Sequence, residues 1–221
     1  MRPGVRTFAL TTHITLSVGW IGAVMAYLVL VVTAMTRQDA QTLRAAWIAM
    51  EMIGSYLIVP LAIASLCTGL LMSLGTPWGL FRHYWVLISL ALTVAATAVL
   101  LLHMPTVSGF ARVAAQTQGG DVGGMRGALR GELLHAGVGL LVLLMIEGLN
   151  VYKPQGMTAY GRRRASQVPW PSPLAKDGKW GRGGGSAIAT PRWVQVLGIH
   201  AIGLALLFVI MHLAGGGLRH H

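Results

Sequence analysis

The sequence predicts an all-α, polytopic membrane helix bundle with about five transmembrane helices, and three observations carry that prediction. Of 221 residues, 54% are hydrophobic and only 10% charged, whereas a soluble domain carries about 25% charged residues. Five apolar stretches, about 8–35, 52–74, 84–104, 133–151 and 194–214, approach or exceed the roughly 20 residues that an α-helix needs to cross a bilayer. None shows the strict alternation of a transmembrane β-barrel strand, so helices are left as the only way to satisfy the backbone in hydrocarbon.

The first run is longer than a signal-peptide core and lacks a small-residue cleavage site after it, so it is expected to be a retained helix. Residues 1–151 then form a four-helix membrane bundle, 152–193 a basic Pro/Gly-rich cytoplasmic loop, and 194–221 a fifth transmembrane helix with a short tail. Pro, Gly and basic residues with few aliphatics cannot bury a core, so little fixed structure is expected in that loop. Its Trp170, Trp180 and Trp193 among arginines suit a segment lying on anionic lipid headgroups, with protein docking as the alternative. Gly22 with Ala26, and Ser65 with Gly69, are small residues one turn apart, the spacing at which helices pack closely. Cys67 is the single cysteine, which rules out an intrachain disulfide or CxxC site and reads as a buried, inert thiol.

The net charge of +11 does not point to nucleic acid, because the basic residues sit between the apolar runs. The N-terminus (Arg2, Arg6), the second connection (Arg82) and the 152–193 loop hold eleven Lys and Arg; the other connections and the tail hold six. The positive-inside rule then places the N-terminus in the cytoplasm of a bacterial plasma (inner) membrane.

Five histidines, His13, His103, His135, His200 and His212, lie within the apolar runs, where a polar group is costly and a functional candidate. In this orientation His13 and His200 sit near the inner ends of the first and fifth helices, and His103, His135 and His212 near outer ends. Neutral imidazole is an axial haem ligand. Two haems sharing two helices are disfavoured, because His200 and His212 are twelve residues apart and about 120° out of phase. A single haem b on His13 and His200 is the preferred reading, with His103, His135 and His212 as second choice; hydrogen bonding of both imidazoles across the bundle is the plain alternative. His13, Ser17 and Trp20 share one stripe at i, i+4, i+7. His103-Met104 and Met211-His212 offer imidazole with thioether, a copper(I) donor set, although methionine also fills gaps in apolar helices. Glu147 is the deepest acid and a possible proton relay or partner of an interfacial arginine, while Glu51 and Glu132 sit at outer helix edges. No GxSxG, HExxH, P-loop or dinucleotide fingerprint appears.

The segment from His13 to Gly22, with Trp20 seven residues after the histidine, resembles the first helix of several small bacterial membrane families. These are the CopD-type copper-resistance domain, the HemJ-type protoporphyrinogen oxidases and an uncharacterised group of the DUF2269 kind; residues 76–104 look like that last group. The resemblance to HemJ-type proteins implies a haem b held by a first-helix histidine, here His13, and a later lysine. Ser89 stands where that lysine is expected, so His200 is the substitute ligand this reading needs. The two other functional readings are an accessory subunit packing against a larger membrane complex, and copper handling.

Single cysteines placed at positions 166 and 117 in a Cys67→Ser background test the orientation. Labelling by an impermeant reagent is expected at 117 and not at 166; the reverse pattern would invert the topology.

Overall fold

The computed structural model describes residues 3–75, 81–116, 122–152 and 156–166, and among these it is an all-α bundle. Its helices are α1 (Pro3–Thr36), α2 (Ala40–Ile53), a π-helical turn (Gly54–Ile58), α3 (Val59–Gly75), α4 (Tyr84–Gln116), α5 (Val122–Tyr152) and the short α6 (Ala159–Ser166). Since α2, the π turn and α3 run on as one rod, four helical spans are long and apolar enough to cross a membrane. The chain is a multi-pass membrane protein. The expected fifth helix, 194–214, lies outside the described residues. α1 packs on α3 and α5, α2 on α4, and α4 on α5, which closes an antiparallel four-helix ring. The near end carries the N-terminus and α6; the far end carries the α1–α2 and α4–α5 connections.

The helices outrun the apolar stretches. α2 begins at Ala40 rather than near 52, α4 continues past 104 to Gln116, and α5 starts at Val122 rather than 133. Hydropathy finds only the part of a helix that lipid surrounds, whereas these extensions are amphipathic. In α2 the buried residues are Leu43, Ala46, Trp47 and Met50, at i, i+3, i+4, i+7. Spans of 31 to 36 residues are about 46–54 Å long and exceed a hydrocarbon core of about 30 Å. The surplus belongs to the far end, where Arg37, Asp39, Arg44, Arg112, Arg126 and Arg130 cluster.

This far-end cap is the best-packed part of the molecule. The largest fully buried side chains, Trp47, Leu43, Met50, Met125, Leu129, Val31 and Val107, all belong to it. Trp47 stacks on Phe110 with ring centroids 4.7 Å apart. Asp39 caps α2 by accepting the Thr42 N–H at 2.7 Å, and that bond holds its carboxyl below the ordinary range. Arg126 ties α5 to the first connection by donating to the carbonyls of Arg37 and Gln38 and to the Gln38 side chain.

The π turn is placed by Pro60. A proline lacks the N–H and its ring collides with the carbonyl four residues back, here that of Tyr56. Widening the preceding turn, so that the Val59 N–H reaches the Gly54 carbonyl, relieves the conflict. Gly54 faces Met104, whose terminal methyl would lie 2.8 Å from a Cβ at that position. A glycine here lets the rod come close to α4 next to Pro105.

Two expectations are corrected. The chain after α5 is ordered over 156–166: Thr158 donates its N–H to the Arg82 carbonyl at 2.9 Å, and its hydroxyl, bonded to the Phe81 carbonyl, caps α6 through the Gly161 N–H. A Cβ on Gly161 would fall 2.5 Å from the Arg82 oxygen, so only glycine lets α6 seat there. Composition disfavoured a core in this segment but did not count backbone bonds to a neighbouring turn. Cys67 is exposed rather than buried. It lies on an apolar span beside exposed Ile63, Leu70 and Leu71, a face that meets lipid. Gly22 and Ala26 are exposed too, whereas Ser65 and Gly69 do pack against α1.

Trp47→Ala is expected to lower stability by about 3–5 kcal/mol, the usual cost of emptying a large aromatic site, read as a fall in the unfolding midpoint in detergent.

Candidate functional site

Inside the ring, polar side chains gather at two levels. Near the N-terminal end, α1, α3, α4 and α5 enclose a cleft of about 180 Å³ lined by His13, Ser17, Ser65, Ser89, Glu147 and Asn150, with Trp20 and Trp85 among its walls and Arg6 toward the N-terminus. The α1 stripe read from the sequence, His13, Ser17 and Trp20, faces this space as a unit.

The hydrogen bonds assign the His13 tautomer. Thr68 has a single hydroxyl proton, which goes back along its own helix to the Ala64 carbonyl at 2.8 Å or the Ser65 carbonyl at 3.1 Å. The Thr68 oxygen, 3.0 Å from His13 Nδ1, is then left to accept. His13 therefore carries its proton on Nδ1, and the Nε2 lone pair is available to a ligand. Gly69 lies against this ring: a Cβ there would sit 3.1 Å from His13 Cε1. Across the cleft the Ser17 and Ser65 hydroxyls are 3.0 Å apart, Ser17 also faces the Glu147 carboxyl, and Ser89 donates to Asn150 Oδ1 at 2.8 Å.

Toward the far end a second cluster joins three helices. Glu132, only 2% exposed, accepts the Tyr27 hydroxyl at 2.7 Å and lies 2.9 and 3.1 Å from His103 Nε2. The His103 ring stacks on His135, with centroids 3.7 Å apart and 16° between planes. This corrects the reading of Glu132 as a helix-edge acid. α5 begins eleven residues before its apolar run, which places Glu132 inside a span. The signal available in the sequence was Tyr27, seven residues after Trp20 and fourteen after His13, hence on the same face of α1.

An apolar cavity of about 70 Å³ lies between the clusters, and Trp20 and Leu143 line both it and the cleft. His103 and Met104 both line it, and His103 Nε2 lies 2.9 Å from Glu132. Among the described residues no group of three or more His, Cys, Asp or Glu side chains is arranged to hold a metal ion. His200 and His212, and with them the His13–His200 pairing and Met211, lie outside the described residues. No family model, curated protein or solved structure matches the chain.

Tyr27 and Glu132 are expected to be coupled. Tyr27→Phe should cost about 1–3 kcal/mol by leaving a buried carboxylate short of a donor. A double-mutant cycle with Glu132→Gln should give a coupling of about 0.5–3 kcal/mol in detergent unfolding; additive effects would show that the bond contributes nothing.

Proposed function

We propose that this multi-pass membrane protein binds haem b in the near-end cleft, where His13 Nε2 would hold the iron, and acts in electron transfer or porphyrin redox chemistry. One observation carries the reading: Thr68 holds Nδ1 as the protonated nitrogen, which is how metal-bound histidines are oriented. The donor chemistry fits the group. Arg6, two turns from His13 and lining the same space, is suited to a propionate. At about 180 Å³ the cleft is smaller than the roughly 300–1,000 Å³ of a drug-sized pocket, so the described residues supply part of the wall. His200, outside the described residues, would be the second residue to hold the iron. A bound haem would supply one-electron chemistry; the chain's share is to hold the iron, keep water from the ring and place Glu147 beside it.

The family resemblance of the first helix supports the same reading. The basic count supports a bacterial inner-membrane location with the near end cytoplasmic, where the 152–193 loop would meet anionic headgroups. A second reading, an accessory subunit in a larger membrane complex, is favoured by one observation: Gly22 and Ala26 form a small-residue face on α1 that is exposed in the described bundle.

Oxidised and reduced visible spectra with metal analysis of the detergent-purified protein separate these readings. A Soret band that His13→Ala abolishes and His103→Ala retains is expected. Copper without a Soret band would favour copper handling, and a colourless metal-free protein the accessory role.

A further inference from the structure

We infer that the apolar cavity between the two polar clusters is a binding site for a small, uncharged, apolar molecule of a few heavy atoms, the class to which dioxygen belongs. All four spans contribute to its walls, among them Trp20 and Val24 of α1, Gly54 and Ile58 of the π turn, Ala96 of α4 and Gly139 of α5. The hollow therefore lies inside the ring, away from the exposed Val29, Leu102, Leu134 and Leu144 that face lipid.

The wall decides what this space can hold. A buried water needs several polar partners, and almost none of the surface here is polar. The Tyr27 hydroxyl donates to Glu132 at 2.7 Å, and His103 Nε2 lies 2.9 Å from the same carboxylate. Glu132 does not line the cavity, so both contacts lead away from it. A charged or strongly polar ligand would lose its hydration here with nothing in exchange. Size narrows the class further. The volume of about 70 Å³ exceeds the roughly 10–15 Å³ that admits one water and falls below the roughly 150 Å³ apolar cavity that admits benzene. A diatomic or similarly compact molecule fits, and an aromatic ring does not.

Small side chains keep the space open. Ala95 and Ala96 line it from α4, and Ala136 and Gly139 from α5; a Cβ on Gly139 would meet no atom within 4 Å. Trp20 and Leu143 line both this cavity and the near-end cleft. A molecule held here stands one side chain from the cleft, whichever ligand the cleft takes.

Xenon is the probe, being apolar, compact and visible by its anomalous scattering. Crystals of the full chain pressurised with xenon are expected to show a peak between Trp20 and Gly139. Gly139→Leu, whose side chain fills the space, is expected to lose that peak. In detergent, xenon should raise the unfolding midpoint of the wild type more than that of Gly139→Leu, because a molecule that binds only the folded state stabilises it. Ala96→Leu fills the cavity from α4 and takes the place of Gly139→Leu if that variant does not fold. A wild-type crystal without xenon at this place shows a packing void and overturns the proposal. A lipid chain occupying the space, or equal midpoint shifts in the wild type and the filled variant, overturns it as well.

Discussion

A bilayer offers no water to a polar side chain, and the interior of this bundle is organised by that constraint. Most polar groups that the apolar helices carry inward meet another from a different helix: His13 meets Thr68, Ser17 meets Ser65, Ser89 meets Asn150, and Tyr27 and His103 meet Glu132; Ser73 bonds its own helix, and Thr97 is buried with no hydrogen-bond partner among the described residues. Hydrophobic burial cannot favour one helix arrangement strongly over another when lipid tails are as apolar as leucine. These polar pairs therefore do much to choose the register of α1 against α3 and α5, and of α4 against α5.

Packing quality divides along the bundle axis for the same reason. In the far-end cap, where polar residues mark contact with water, burial drives close packing, and Trp47, Leu43, Met50 and Leu129 are sealed. Within the apolar spans that force is absent, and the bundle tolerates both the cleft and the apolar cavity beside Trp20. The π turn ahead of Pro60 and the approach of Gly54 to Met104 fall where the two regions meet. None of the largest sealed side chains lines the cleft.

The two polar clusters differ in what they leave over. Around Glu132 the Tyr27 hydroxyl and the His103 nitrogen converge on one carboxylate, an arrangement suited to clamping α1, α4 and α5 together. Around His13 the Nδ1 nitrogen is bonded to Thr68, and the ring lines a space that Glu147 also lines. That asymmetry is the reason for placing ligand chemistry at the near end and structural clamping toward the far end, although both clusters contain histidine, carboxylate and hydroxyl.

By itself the sequence determined the all-α membrane class and the face that α1 turns inward, because both depend on local quantities. Run length measures hydrocarbon thickness, and the spacing of His13, Ser17 and Trp20 measures helical phase. It also marked Ser65 and Gly69 as a packing surface. The burial of Glu132, the stacking of His103 on His135 and the exposure of Cys67 were decided by the tertiary structure. Each depends on which residue a neighbouring helix brings to the same height, and hydropathy cannot report that where amphipathic helix continues beyond the lipid. The seating of α6 is of the same kind. A Pro/Gly-rich basic segment has no core to advertise, and its order comes from a few backbone bonds to Phe81 and Arg82, seventy-six residues or more earlier in the chain.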